Sequence, residues 1–130
     1  MIELTSVDQK YGGTQILWGL DLNIKKGSRT CIMGRNGVGK TTLLQVIMGM
    51  LPISSGSLVI NDKDMAKSSV ESRPELGVGY VPQGRQIFPL LTVEENLKIS
   101  LNCKRQKSKT IPEHIYDLFP VLKEMLHRRG

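Results

Sequence analysis

The residue pattern implies an α/β protein in which a phosphate-binding loop joins a buried strand to a buried helix. Residues 29–33 (Arg-Thr-Cys-Ile-Met) are followed at once by Gly34-Arg35-Asn36-Gly37-Val38-Gly39-Lys40-Thr41. That run fills every fixed position of the Gly-x-x-x-x-Gly-Lys-Thr pattern, and a strand before it with a helix after it is the setting the pattern requires. The helix is expected over residues 40–50, where Leu43, Leu44, Val46, Ile47, Met48 and Met50 leave almost no polar face. An antiparallel β portion is expected before this unit, and the start of a helical subdomain after Gln83.

Residues 2–7 read as a short strand. From Trp18 the pattern Trp18, Leu20, Leu22, Ile24 alternates with Gly19, Asp21 and Asn23, a period of two that buries one face. Tyr11-Gly12-Gly13 and Lys25-Lys26-Gly27 are turn chemistry. Residues 29–33 are apolar enough for a central strand covered on both sides. Pro52 stops the helix, residues 57–60 form a strand, and Asn61-Asp62-Lys63-Asp64 closes it with a turn. Residues 65–76 hold one short helix and residues 77–82 another buried strand. Thr92-Val93-Glu94-Glu95 is a capping box opening a helix. Residues 112–129 read as a further helix, reached through the basic linker 103–109.

The chain has 130 residues, net charge +6, 39% hydrophobic residues, 13 Gly and 6 Pro. Those values fit one globular domain and exclude disordered and fibrous classes. No apolar run approaches the roughly 20 residues needed to cross a bilayer, and the start lacks the basic and apolar regions of a signal peptide. A cytoplasmic protein is expected, reaching a membrane only through a partner. Two cysteines build neither a disulfide framework nor a metal site. Cys31 is expected to be buried and inert; Cys103, in a polar loop, to be free.

Each residue type in the loop has a physical reason. Glycines at 34, 37 and 39 allow the backbone to approach phosphates closely. The helix start adds about half a positive charge. Lys40 supplies a full charge to the β- and γ-phosphates, Thr41 is placed to ligate Mg²⁺, and Thr42 reaches the α-phosphate side. The expected ligand is Mg-ATP. Neither Asn61-Asp62-Lys63-Asp64 as a guanine reader nor Leu58 to Asp62 as a metal-binding strand end has its key residue in register. Lys104-Arg105-Gln106-Lys107-Ser108-Lys109 has no interleaved aromatics and reads as a solvated linker, so nucleic acid is not an expected partner.

Several motifs in order resemble the ATP-binding subunits of ABC transporters. Tyr11, 23 residues before Gly34, resembles the aromatic residue that stacks on adenine in that family. Residues Gly34 to Thr42 (Gly34, Arg35, Asn36, Gly37, Val38, Gly39, Lys40, Thr41, Thr42) resemble its Walker A segment, and Val81-Pro82-Gln83 its Q-loop. Gln83 is implied to contact Mg²⁺ and the attacking water. Among subgroups the importers of branched-chain amino acids and urea are most similar. Gly34-Arg35-Asn36-Gly37-Val38 and Gln83-Gly84-Arg85 with Leu91-Thr92-Val93-Glu94-Glu95-Asn96-Leu97 look most like the urea member.

The resemblance implies that residues 1–130 are a partial nucleotide-binding domain. Residues 1–83 would be the β-rich and phosphate-loop portion, and residues 84–130 the beginning of the helical subdomain. It further implies a second ATP-binding subunit, membrane permease subunits, and a peripheral position on the inner face of the membrane. The alternative is a soluble ATPase of the same type that is not coupled to transport. The Leu-Ser-Gly-Gly-Gln signature, the strand ending in Asp-Glu and the switch histidine are not in these residues. His114 and His127 match none of them; His127-Arg128-Arg129 reads as cations at a helix C-terminus. The parent is therefore expected to be an ATPase and this chain to bind ATP without hydrolysing it. In the family the strands at 29–33 and 77–81 are not neighbours, so a slot and open apolar edges are expected here.

Overall fold

In the computed structural model, which describes residues 1–84, 86–99, 101 and 110–130, β1 (Ile2–Tyr11) turns through Gly12 and Gly13 into β2 (Thr14–Ile24). Tyr11 pairs with Thr14, so two residues make the turn. The hairpin register shifts three times, the last between Gln9↔Leu17 and Lys10↔Gln15, and the first two shifts are bulges of opposite sense. Between Leu4↔Leu22 and Val7↔Leu20, β1 carries an extra residue at Ser6; between Val7↔Leu20 and Gln9↔Leu17, β2 carries one at Gly19. Each bulge is pinned by a carboxylate across the hairpin. Ser6 N–H donates to Asp21 Oδ1 at 2.7 Å and Gly19 N–H to Asp8 Oδ1 at 2.7 Å.

The second bulge corrects one expectation. It inverts the alternation of β2, so Leu17 is buried with Leu20 and Leu22 against the core while Trp18 is 73% exposed. A glycine inside a strand pattern marks such a break. β3 (Ser55–Ile60) pairs antiparallel with β1, and β4 (Lys63–Asp64) with β3 across the Asn61-Asp62 turn, giving the order β2-β1-β3-β4. Gly56 enters β3 with φ 88°, and a Cβ there would collide with the Ser6 carbonyl and lie 2.6 Å from that of Thr5. Only glycine passes the β1 bulge this closely.

Helix α1 spans Lys40–Ile47 rather than residues 40–50. Gly49, at φ 74°, ends it: Gly49 N–H donates to Val46 O at 2.9 Å and Met50 N–H to Gln45 O at 2.8 Å. That pair of bonds is the Schellman closure. Thr42, Leu43, Val46 and Ile47 form its buried stripe, while Leu44 is exposed, so the helix is amphipathic and not buried all round. Leu4, Val7, Leu17, Leu58 and Ile60 meet this stripe from the sheet, with Met65 beside them. A short helix, α2 (Ser72–Glu75), follows within the expected stretch.

Two expected strands do not form. Residues 29–33 and 77–82 run without sheet partners among the described strands. Met33 is 86% and Val81 93% exposed, and the Cys31 thiol is exposed, not buried. Apolar character predicts that a segment suits a central strand; a ladder still needs neighbours on both sides to take up its N–H and C=O groups.

Residues Met1–Val78 form one unit and Gly79–Gly130 another. In the second, α3 (Val93–Ile99) opens with the expected capping box. Thr92 N–H donates to Glu95 Oε2 at 2.7 Å, and Glu95 N–H to Thr92 Oγ1 at 3.2 Å. Next-turn donors go to the chain's last residues: Val93 N–H to Arg128 O and Glu94 N–H to Leu126 O. The helix expected at 112–129 is two, α4 (Glu113–Leu118) and α5 (Val121–Glu124). Pro120 forces the break, because the residue before a proline is pushed out of the helical region, and Phe119 sits at φ −134°. His127, Arg128 and Arg129 therefore lie beyond the last helix, and Arg129 bridges to Thr92 instead of meeting a helix end. Arg85, Cys103 and the linker at 104–109 lie outside the described residues.

Candidate functional site

The loop between residues 33 and 40 presents its backbone to solvent: Gly34, Arg35, Asn36, Gly37, Val38 and Thr41 are exposed, whereas Gly39 and Thr42 are buried. Gly34, Gly37 and Gly39 all hold positive φ. Gly39 is the N-cap of α1 at φ 96°, and no side chain caps the first turn. A Cβ at Gly39 would lie 3.0 Å from Leu17 Cδ2 and 3.1 Å from Ile16 Cγ2. The helix start thus rests directly on β2, with its first-turn amides unclaimed by a capping side chain. Such a terminus attracts an anion through its N–H groups and its dipole.

Lys40 completes the charge. Its Nζ donates to Gly34 O at 2.7 Å and to Arg35 O at 2.5 Å. The ammonium therefore lies across the loop, held by two of its three donors, and one remains for an oxygen of an anion. No acidic residue occupies the first turn of α1 to compete for it. Thr41, exposed one residue further, carries a hard hydroxyl oxygen of the kind Mg²⁺ would accept. Thr42, the next residue, is buried at 8% exposure. Among the described residues no cluster of three or more His, Cys, Asp or Glu is placed to hold a metal.

Tyr11, 47% exposed at the end of β1, is brought to the same helix: its hydroxyl is 3.1 Å from Gln45 Oε1 on α1. Gln45 was not singled out from the sequence, although a lone amide in an apolar helix was the available signal. Gln83 is exposed and belongs to the second unit, apart in the chain from the unit that carries the loop.

Residues 17–128 match the model of the family described as ABC transporter. The chain is 35% identical over 131 aligned positions to a "probable branched-chain amino acid transport ATP-binding protein" of Archaeoglobus fulgidus, covering 100% of this chain and 56% of the relative. It is 36% identical over 115 positions to a spermidine/putrescine import ATP-binding protein of Spiroplasma citri, covering 88% of this chain and 32% of that one. Among solved structures it superposes on a dimeric, post-hydrolysis ATP-binding cassette bound to ADP and Pi with TM-score 0.80 at 26% identity. That match covers 100% of this chain and 62% of the other. A nucleotide-free cassette from an ABC transporter matches with TM-score 0.75, also at 26% identity, over 99% of this chain and 57% of the other. The chain thus spans a little over half the length of the amino-acid relative and of these cassettes.

Proposed function

The chain belongs to the ABC transporter family, and on that premise we propose that it is the nucleotide-binding part of an importer's ATP-binding subunit. The observation that carries this reading is the loop on α1. Glycines with positive φ, an uncapped helix start and an ammonium lying on two loop carbonyls form a receptor for a triphosphate. Mg-ATP is the ligand, with Thr41 toward the metal and the backbone of Gly34 to Lys40 toward the phosphates. Tyr11 offers its ring to the adenine, and Gln83 is the residue that the family resemblance assigns to Mg²⁺ and the attacking water.

Within the importers, uptake of urea or a branched-chain amino acid is the function proposed for the whole protein. Likeness to the amino-acid relative supports that group, and Gly34-Arg35-Asn36-Gly37-Val38 with Gln83-Gly84 favours urea within it. A second ATP-binding subunit and membrane permeases are the proposed partners, on the inner face of the membrane. Among the described residues no helix is long and apolar enough to cross a membrane. The dimeric cassette among the structural matches supports pairing with a second subunit.

Calorimetric titration of the 130-residue chain with Mg-ATP tests the reading. Lys40→Ala removes charge-assisted hydrogen bonds of about 1.5–3 kcal/mol, so affinity is expected to fall roughly 10- to 100-fold. Equal affinities for wild type and variant would remove the phosphate role from this loop.

A further inference from the structure

We propose that Arg73 is a positioning residue for the nucleotide site, acting through the far end of α1; the proposal rests on the nucleotide-binding reading above. Arg73 lies in α2 and is 1% exposed, the largest of the fully buried side chains. Its guanidinium reaches across to α1 and the loop after β4. Nε donates to Ile47 O at 2.8 Å, Nη2 to Met65 O at 3.1 Å, and Nη1 to Ser72 Oγ at 3.2 Å, with Ser69 O at 3.5 Å. No carboxylate forms an ion pair with it among the described residues.

A buried cation normally needs an anionic partner. Here main-chain carbonyls take that part, and one of them has a particular character. Ile47 is the last residue of α1, so its carbonyl belongs to the negative end of the helix. The same helix offers its positive end to the loop at Gly39 and Lys40. Arg73 therefore holds the end opposite the phosphate site. Burial lowers its pKa, yet a guanidinium starts so high that it stays charged. Gly49 leaves room for it: a Cβ at that position would lie 3.0 Å from Nη2.

Geometry turns this anchor into a lever. α1 has 8 residues, hence a length of about 12 Å. Its start is seated on Ile16 and Leu17 through Gly39, its middle is tied to Tyr11 through Gln45, and its end is held by Arg73. Without the last anchor the helix axis tilts about the first, and the loop amides, which must be held within about 0.5 Å of their productive positions, lose their aim. Lysine cannot replace the fork, since one ammonium does not span carbonyls on separate segments in the planar geometry of a guanidinium.

A cavity of about 160 Å³, lined in part by Gly49, Met65, Ser68 and Arg73, adjoins the guanidinium. It makes chemical rescue feasible, because Arg73→Ala would enlarge it and leave the acceptor carbonyls in place. The test measures binding of Mg-ATP and of inorganic triphosphate to the 130-residue chain and four variants, each at matched folded fraction. Arg73→Met and Arg73→Ala are expected to weaken both ligands by a similar factor, roughly tenfold, with Arg73→Lys between them and wild type. Millimolar ethylguanidinium should restore Arg73→Ala but not change wild type. Ile2→Ala, a truncation of a partly buried side chain at the start of β1, should bind as wild type does.

A wild-type chain that binds neither ligand overturns the nucleotide reading and this inference with it. Wild-type binding with Arg73→Met unchanged overturns the inference alone. So does an equal loss in Ile2→Ala with no rescue of Arg73→Ala by ethylguanidinium, which would make Arg73 a general stabiliser.

Discussion

Tyr11 ends β1 with its hydroxyl on Gln45, so its ring is fixed relative to the helix that carries the phosphate loop. If the ring stacks on the base, Tyr11→Ala should weaken Mg-ATP several-fold and leave inorganic triphosphate unaffected, since stacking is worth about 1–3 kcal/mol per base. Equal losses for both ligands in parallel titrations would assign Tyr11 to the fold alone. Asp8 works at the same scale. Its carboxylate accepts from Ser55 Oγ at 2.7 Å, Gly19 N–H at 2.7 Å and Gln15 Nε2 at 2.9 Å, joining three places in the sheet. The Ser55 hydroxyl, and then the Gly19 N–H, hold its pKa below the ordinary 3.8. A depressed carboxyl pKa stabilises the fold above the ordinary value, and that contribution is lost as pH falls through the lower folded-state value. The melting temperature of wild type should therefore drop more steeply below about pH 4 than that of Asp8→Asn. Parallel curves between pH 6 and 3 would refute this role.

Elements are set by what closes them. The end of α1 comes from the Gly49 closure, and that of α4 from Pro120; both glycine and proline are visible in the sequence, but which of several candidates ends a helix depends on packing. In α3 the capping box was legible outright, because Thr and Glu three apart satisfy each other locally. The role of Asn96 was not. Its side chain accepts from Phe88 N–H at 2.9 Å and donates to Phe88 O at 3.0 Å, Leu91 O at 3.3 Å and Thr92 O at 2.9 Å. It clamps the loop before the helix, with Phe88 and Leu90 exposed on it. Asn96→Ala should destabilise this unit by on the order of 2 kcal/mol, given about 1 kcal/mol for a typical bond and partial exposure here. Hydrogen exchange at the Phe88 amide measures it, and unchanged protection there would show that the loop holds without the clamp.

At the scale of the molecule, the expectation concerns chemistry. Orienting water and holding a second Mg²⁺ contact call for carboxylates and partner donors that the motifs of this chain do not include. Phosphate release from Mg-ATP by the 130-residue chain is expected to be undetectable; turnover within tenfold of a full-length relative would contradict it. Residues 29–33 and 77–82 carry apolar side chains but pair with none of the described strands.

Spacing along the chain was enough to locate the glycine loop, the helix it opens, the turn at Tyr11-Gly12-Gly13 and the Thr92 capping box. Each of these is satisfied by groups within a few residues of one another, so local chemistry determines it. Tertiary structure alone decided that Trp18 faces outward, that Cys31 is exposed, that Tyr11 meets Gln45, and that Arg73 spends its charge on the end of α1. Those outcomes depend on partners dozens of residues away, on a bulge that shifts the phase of a strand, or on a neighbour strand being present to pair. A period of two or an apolar run carries no record of any of them.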